Sequence, residues 1–266
     1  MEPLMRPVFN VPGVGAFALS MGLAAGYPMD AVITSKFRKT GMCTKIEGER
    51  LLAFTNTADP LFMFGAVAVG MFGHPEIGAL IALAHYLSAF SVGYLFRFYG
   101  RGEHGKEIRM KGEDPKVNIL RRAWWALFKA RKEDGRHLGQ LLGEAVRESM
   151  LTLLMIGGFI MLFSVFVRIL SAVGIMTAIT PGIKFILGVF GLSPQLTQAV
   201  LRGVLEIDLG TVAASQATAP LGQKLVVTSA VIAWSGLSVH GQVASVIHGT
   251  DIRMGPYIAA RLLHAI

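Results

Sequence analysis

Two polar interruptions of apolar sequence contain side chains that can bind an ion or a polar solute. Residues 55–60 include Thr55, Asn56 and Asp59, and residues 235–242 include Ser238 and His240. In hydrocarbon, unsatisfied backbone groups cost several kcal/mol each, so such breaks persist only when buried in protein or lining a cavity. Corresponding breaks in two halves of a chain point to a solute site near the membrane midplane.

The first interruption can be interpreted in two ways. Pro60 has no N–H group and disfavours helical geometry in the residue before it, so the helix must break here. N–H groups freed at a helix start can hold a carboxylate. Asp59 and freed carbonyl groups suit Na⁺ or a proton. Alternatively, Asp59 only caps the helix that follows.

Further candidates lie outside this interruption. Glu206 and Asp208 point to different faces of a helix but could converge in an unwound tip, unless a shallow hairpin leaves both in solvent. His240 suits a ligand contact or a packed interior equally well. Tyr27 either contacts an aromatic solute or shapes its turn. The candidate solute- or ion-binding residues are Tyr27, Thr55, Asn56, Thr57, Asp59, Glu206, Asp208, Thr211, Ser238, His240 and Gln242.

Composition favours a membrane protein. The chain has 266 residues, of which 53% are hydrophobic and 16% charged, against about 25% charged in globular proteins. Residues 77–96 and 151–172 approach the roughly 20 apolar residues that cross a bilayer. The single cysteine excludes an intramolecular disulfide and argues against a cysteine metal site.

The net charge of +8 is concentrated in one segment. Residues 97–136 contain twelve Lys or Arg against six Asp or Glu. Basic loops beside membrane helices mark the cytosolic side, where they can also touch anionic lipid. No groove-reading motif accompanies the charge, so we expect no nucleic-acid partner.

We predict an all-α polytopic integral membrane protein. Residues 1–99 form the first half, residues 100–149 a basic cytosolic linker with an amphipathic interfacial helix around 137–150, and residues 150–266 the second half. Trp124 and Trp125 suggest a further short interfacial helix.

Each half is expected to contain a re-entrant hairpin and a broken helix. The hairpins are residues 12–37, with a tip at Gly26-Tyr27-Pro28, and residues 196–221, broken at 206–211. The broken helices are residues 51–72 and 225–248. Counting basic residues places 36–50 on the same side as 97–136 and inverts the second half, which predicts two inverted repeats. An ordinary six-span bundle fits the same pattern.

Several motifs carry a family resemblance that extends over nearly the whole chain. They are Arg6-Pro7-Val8-Phe9, Gly22-Leu23-Ala24-Ala25-Gly26-Tyr27-Pro28, Thr55-Asn56-Thr57-Ala58-Asp59-Pro60, Arg97-Phe98-Tyr99-Gly100, Glu206-Ile207-Asp208-Leu209-Gly210 and Trp234-Ser235-Gly236-Leu237-Ser238-Val239-His240-Gly241-Gln242. The chain resembles the YlbJ-like family of sporulation integral membrane proteins, within the nucleoside-recognition or Gate domain superfamily.

The resemblance implies a protein of the cytoplasmic or forespore membrane of spore-forming bacteria, related in fold to concentrative nucleoside transporters. Its implied task is to pass a small molecule, with the dipicolinate anion as the expected one, towards the forespore. Nucleoside binding follows only from the superfamily label. Family members have further membrane helices before the Arg-Pro-x-Phe motif, so we expect either a fragment, lacking N-terminal and final helices, or a misassigned start.

Two functions of different classes follow. The first is a permease of the Gate type that moves a small anionic solute, with Na⁺ or proton coupling left open. The second is a non-transporting scaffold for spore-envelope proteins that docks partners through the basic linker and Trp124-Trp125. No catalytic or metal-binding motif stands in the sequence, so we expect no enzyme, metal or cofactor. The expected partners are the solute, the lipid bilayer, and either further copies of the chain or other sporulation membrane proteins.

Overall fold

A computed structural model describes residues 1–101, 124–125, 128, 131–132 and 135–266 of the chain. These residues form helices and loops, with no strand among them, which confirms the all-α prediction. One compact unit comprises Met1–Glu107 and Phe159–Ile266, and a second comprises Ile108–Gly158. The first unit therefore combines residues from both predicted halves.

Six helices precede the basic linker. They are α1 (Glu2–Phe9), α2 (Gly15–Ala25), α3 (Met29–Lys39), α4 (Lys45–Thr55), α5 (Leu61–Met71, with π-helical hydrogen bonding) and α6 (Ile77–Phe96). α2 packs against α3 across the turn at Gly26-Tyr27-Pro28, as the hairpin prediction requires. At Gly26 the backbone has φ 67°, which glycine adopts without steric cost.

The first broken helix is interrupted where the sequence predicts. α4 ends at Thr55, and the helix resumes at Pro60, directly before α5, which leaves residues 56–59 outside any helix. α4 begins at Lys45, earlier than the predicted residue 51, because Thr44 and Glu47 form a reciprocal capping box at its start.

Seven helices follow the linker. They are α7 (Leu138–Ala172), α8 (Ile175–Val189), α9 (Thr197–Leu205), α10 (Ile207–Gln216), α11 (Leu221–Trp234), α12 (Gly236–Ile247) and α13 (Met254–His264), with a 3₁₀ turn at Pro194–Leu196 before α9. α9 packs against α10 as the second hairpin, and α11 with α12 forms the second broken helix, interrupted at Ser235.

The prediction of a separate amphipathic helix at residues 137–150 is wrong. α7 continues through this region for 35 residues, about 52 Å at 1.5 Å per residue. Hydrophobicity rises near residue 150, but no glycine or proline breaks the helix there. In the predicted short helix, Trp124, Trp125 and Phe128 are helical and exposed, while its other residues lie outside those described.

Among the described residues, three helical segments are long and apolar enough to cross a membrane, namely Ile77–Phe96, Leu138–Ala172 and Leu221–Ile247. The last of these runs through the break between α11 and α12. Shorter apolar helices are Gly15–Ala25, Leu61–Met71 and Ile175–Val189. This pattern fits a polytopic membrane protein; the inversion of the two halves stays a prediction.

The two halves share one buried core. Met63 and Val67 of α5, Ile81 of α6, Ala199 of α9 and Ile232 of α11 belong to the same apolar cluster. α12 also packs against α3, and α13 packs against α4 and α6. The hairpins and broken helices are therefore held against each other across the halves.

One end of the bundle collects most of the described ion pairs, and we call it the basic end. Glu49 of α4 accepts hydrogen bonds from Arg253 Nε (2.9 Å) and from the Tyr99 hydroxyl (2.9 Å). Arg50 donates to the Tyr99 carbonyl oxygen (2.6 Å). Residues 36–50 and the start of the basic segment at residue 97 thus lie together, as charge counting predicts. The membrane side that they face stays a prediction.

A more exposed ion pair lies at the edge of the basic end. Arg38 donates to both carboxylate oxygens of Asp251, at 2.6 and 2.8 Å. These hydrogen bonds hold the pKa of the Asp251 carboxyl below its usual value. The pair joins the end of α3 to the loop between α12 and α13.

Candidate functional site

Asp30 ties the first hairpin to the first break. It lies in the first turn of α3 and is completely buried. Its carboxylate accepts hydrogen bonds from Asn56 Nδ2 (2.8 Å) and from the Thr55 hydroxyl (3.0 Å). Two predicted site residues are thus bonded to a carboxylate that sequence analysis did not select.

Helix α13 completes this buried network. Tyr257 donates its hydroxyl proton to Asn56 Oδ1 (2.9 Å). Arg261 donates to the carbonyl oxygens of Asn56 and Ala53, both at 2.6 Å. The last carbonyl groups of a helix have no partner within it, and here a guanidinium supplies one. Arg261 and Asp30, which bond to the carbonyl oxygen and the side chain of Asn56 respectively, are both fully buried.

The network changes the interpretation of the first break. The freed carbonyl groups, which sequence analysis assigns to Na⁺, already accept hydrogen bonds from Arg261. Thr57 is buried beside Thr55, with its hydroxyl 3.4 Å from the Thr55 carbonyl oxygen. The polar groups of Thr55, Asn56 and Thr57 therefore have partners inside the protein.

Beyond the break, the backbone is held by α6. The Ala58 N–H donates to His85 Nε2 (3.0 Å), and the Tyr86 hydroxyl donates to the Ala58 carbonyl oxygen (3.1 Å). Asp59 is partly exposed, and its Oδ1 accepts the Phe62 N–H at 2.9 Å. Asp59 thus caps α5, which is the alternative that sequence analysis left open. Contact of Asp59 with a solute stays a prediction.

The tip of the first hairpin is anchored in the second half. Tyr27 donates its hydroxyl proton to the carbonyl oxygen of Ile232 in α11 (2.9 Å). A Cβ atom at Gly26 would lie 2.6 Å from Asp59 Oδ2, so only glycine lets the tip approach Asp59 this closely. The Tyr27 hydroxyl therefore has a structural partner, and contact of its ring with a solute is not tested.

The second hairpin and the second broken helix meet where each is interrupted. Ser235 adopts the left-handed conformation with φ 67°, which costs a non-glycine residue about 1–2 kcal/mol. A Cβ atom at Gly236 would lie 3.1 Å from Glu206 Cα and 3.0 Å from Ile207 N. Gly236 thus lets the second broken helix touch the interruption between α9 and α10.

The predicted unwound tip at residues 206–211 is too long. Only Glu206 leaves the helix, in an extended conformation, and its Oε2 caps α10 by accepting the Leu209 N–H (2.8 Å). Asp208 and Thr211 belong to α10, where the Thr211 hydroxyl donates to the Ile207 carbonyl oxygen (2.9 Å). The capping bond lets the helix start at Ile207, so Glu206 and Asp208 do not share an unwound loop.

The second break carries buried polar atoms that have no hydrogen-bond partner among the described residues. The side chains are 0 to 5% exposed, and the atoms are Glu206 Oε1, Ser238 Oγ, His240 Nε2 and Gln242 Oε1. The Glu206 and Ser238 side chains lie close enough to interact with each other. Nδ1 of His240 lies 2.7 Å from the Gly236 carbonyl oxygen, so Nδ1 carries the proton and Nε2 presents a lone pair. An unsatisfied buried polar group costs about 1–3 kcal/mol. Among the described residues, four such atoms lie at the second break, against one, Arg261 Nε, at the first.

Aromatic rings connect the two breaks. The His240 ring lies 4.3 Å from the Trp234 ring and 5.1 Å from the Tyr257 ring, measured between centroids. Tyr257 in turn bonds Asn56. Candidate residues from both halves therefore belong to one contiguous cluster, which includes Asn56 and His240.

Sequence analysis missed several members of this cluster. Asp30 and Arg261 are ionisable residues inside the segments predicted to enter the membrane, a signal that marks functional or paired positions there. That signal could have identified both. His85 and His264, whose ring centroids are 4.5 Å apart, are separated by 179 residues in sequence, and no local pattern predicts their contact.

Comparison with known proteins gives one curated relative. The chain is 45% identical over all 266 of its residues to the "Sporulation integral membrane protein YlbJ" of Bacillus subtilis (strain 168), and it spans 65% of that relative's length. No protein-family model and no solved structure matches the chain. This identity over the whole chain supports placing it in the YlbJ-like family of sporulation integral membrane proteins.

Proposed function

We propose that this chain is the solute-carrying part of a membrane permease that acts in sporulation. The observation that carries the proposal is the set of buried, unpartnered polar atoms at the second break, on Glu206, Ser238, His240 and Gln242. A small polar molecule that bonds to these atoms offsets the cost of burying them. Because the chain spans 65% of its relative, the activity of the whole protein is part of the proposal.

The chemistry of the site restricts the solute. It offers a carboxyl group, a hydroxyl group, an imidazole lone pair and an amide oxygen within a buried cluster. An anion next to Glu206 requires a proton or a cation to neutralise the carboxylate, since like charges disfavour each other at low dielectric. Dipicolinate, which the family resemblance suggests, would therefore enter together with a proton or Na⁺.

Transport requires that the site open to each side in turn. The second break contacts the second hairpin at Gly236 and Glu206, and it reaches the first break through His240 and Tyr257. Gating of one half against the other would make and break these contacts. The first break, whose groups bond to each other, would serve as the fixed part.

Equilibrium binding of radiolabelled dipicolinate and uridine, offered separately to the purified chain, tests the proposal. Ser238→Ala removes a hydroxyl from the site and should weaken binding of the accepted solute about tenfold, the equivalent of one hydrogen bond. Thr228→Val is the matched control, because Thr228 is a buried residue of α11 whose hydroxyl also lacks a partner. It lies about 10 Å along the helix from Ser235.

The outcomes separate the two functions of different classes. Binding of one solute that Ser238→Ala weakens and Thr228→Val leaves unchanged supports the permease. Folded protein that binds neither solute favours the scaffold, in which residues of the basic linker would dock spore-envelope proteins. If both variants weakened solute binding equally, the second break would not be the solute site.

A further inference from the structure

An exposed apolar stripe runs along α6 towards the basic end. Its large side chains are 36 to 58% exposed and recur at helical spacing, and they are Leu80, Leu83, Leu87 and Phe90. The helix has 20 residues, about 30 Å at 1.5 Å per residue, which is the thickness of the hydrocarbon core of a bilayer. The residues that end α6 therefore lie at the level of the lipid headgroups.

Two arginines and two aromatic rings lie where the stripe reaches the basic end, and we call Tyr94, Arg97, Phe98 and Arg101 the arginine–aromatic cluster. Both rings are about half exposed. Arg97 Cζ lies 5.1 Å from the centroid of the Tyr94 ring and 5.4 Å from that of the Phe98 ring. Arg101 Cζ lies 4.3 Å from the Phe98 centroid. Because both guanidinium groups approach one ring, their Cζ atoms are at most about 10 Å apart.

The positive charge of this cluster is not neutralised within the described part of the chain. There, neither Arg97 nor Arg101 pairs with a carboxylate or donates a side-chain hydrogen bond. Arg50 lies close enough to Arg101 for their charges to repel, and its guanidinium donates to carbonyl oxygens. The carboxylates of Glu47 and Glu49 on α4 are each bonded to other arginines. The end of α6 therefore presents unpaired positive charge beside an apolar stripe.

We propose that the arginine–aromatic cluster binds the headgroup of an anionic phospholipid whose acyl chains lie along the α6 stripe. Guanidinium groups bond well to phosphate oxygens, and basic residues at the membrane surface favour anionic headgroups. Aromatic rings of this kind lie at headgroup level. A lipid is the occupant that uses both the charge and the stripe, whereas a soluble phosphate uses the charge alone. Arginines that only complement the C-terminal end of the helix dipole would show no preference among lipids.

Native mass spectrometry of the purified chain in detergent tests this assignment on the unmodified protein. Titration with phosphatidylglycerol and with phosphatidylcholine of identical acyl chains gives the affinity for the first bound lipid of each kind. We expect phosphatidylglycerol to bind at least about tenfold more tightly, because its headgroup brings no cation to oppose the arginines. Glycerol 3-phosphate, which has the charge without the chains, should bind at least about tenfold more weakly than phosphatidylglycerol.

Two double variants locate the lipid. Arg97→Gln with Arg101→Gln should lower the affinity for phosphatidylglycerol to that for phosphatidylcholine. Lys36→Gln with Lys39→Gln is the matched control, because it removes the same charge from two exposed residues of α3 at the basic end. This control should keep the preference for phosphatidylglycerol.

Three results would overturn the proposal. They are equal affinities of the unmodified chain for the two lipids, binding of glycerol 3-phosphate as tight as that of phosphatidylglycerol, and equal losses in the two double variants, which would indicate attraction to the basic end as a whole. The comparison of ligands uses the unmodified chain, so it does not depend on the folding of a variant. None of these measurements depends on transport.

Discussion

At the scale of residues, the two breaks differ in how their polar groups are satisfied. At the first, Asn56 donates to Asp30 and its carbonyl oxygen accepts from Arg261, whose Nε has no partner among the described residues. At the second, Glu206 and His240 each keep a buried polar atom without a partner. Satisfied networks fix a structure, whereas unsatisfied groups mark where a ligand can bind. We therefore propose that the first break mainly stabilises the structure and that the second binds the solute.

Replacement of Asp30 tests the structural role of the first break. Asp30→Ala leaves the buried Asn56 amide without its acceptor, so we expect a loss of about 1–3 kcal/mol of stability. Thr34→Val is the matched control, because Thr34 is equally buried in α3 and its hydroxyl has no partner to lose. Thermal unfolding in detergent, followed by circular dichroism, should show a large decrease in Tm for the first variant only. Similar values for both would contradict the network.

Substitutions of Asp59 can distinguish a helix-capping role from a role in solute binding. As a cap of α5, it needs only an acceptor oxygen for the Phe62 N–H, which asparagine retains. We expect Asp59→Asn to keep both stability and solute binding, and Asp59→Ala to lose about 1 kcal/mol of stability. Loss of dipicolinate binding in Asp59→Asn, with an unchanged Tm, would instead place Asp59 in the solute site.

At the scale of elements, hairpin packing depends on glycine positions where the neighbouring helix leaves no room for a side chain. In the second hairpin, a Cβ atom at Gly210 of α10 would collide with the backbone of Gly203 in α9. Backbone cannot move aside as a flexible side chain can, so the two arms would have to separate. Their separation would also move Glu206, which lies between them.

Alanine substitutions test this contact. We expect Gly210→Ala to destabilise the protein by about 1–3 kcal/mol through overpacking. Gly182→Ala in α8 is the control, since no heavy atom lies within 4 Å of its Cβ position and alanine favours a helix by up to about 1 kcal/mol. Opposite shifts in Tm are expected. A neutral Gly210→Ala would show that the arms of the second hairpin pack less closely than described.

The sequence predicts the positions of the breaks better than their extents. Pro60 and the Gly26-Tyr27-Pro28 turn carry backbone signals that act locally, so the first break and the first hairpin tip were located correctly. The extent of the second tip depends on a side-chain cap by Glu206, which propensity does not reveal. Nor can a local pattern find the partners of Asn56, because Tyr257 lies 201 residues away.

At the scale of the whole molecule, the basic end joins segments from both halves. Glu49 receives hydrogen bonds from Arg253 and Tyr99, and its side chain is fully buried. Arg38 and Asp251 are 28% and 50% exposed at the side chain. Because Glu49 is buried, its hydrogen bonds are more costly to break than the exposed ion pair of Arg38 and Asp251.

A pair of substitutions tests this ranking. Glu49→Ala should cost about 2–3 kcal/mol, because it removes charged hydrogen bonds that link α4 to α13 and to the end of α6. Asp251→Ala should cost less than about 1 kcal/mol, since exposed ion pairs contribute little. Unfolding of both variants in detergent at low and high salt provides the comparison. A larger loss in Asp251→Ala would contradict the assigned burial.

Uptake of radiolabelled dipicolinate by proteoliposomes of the purified chain tests most directly whether the second break carries a solute through the membrane. Uridine is offered in parallel. Glu206→Gln removes the carboxylate that, in the proposed mechanism, couples the anion to a cation. Glu148→Gln, exposed on α7, is the matched control. We predict saturable dipicolinate uptake that is lost in Glu206→Gln and kept in Glu148→Gln. Uptake unaffected by Glu206→Gln, or no saturable uptake by folded protein, would contradict the claim.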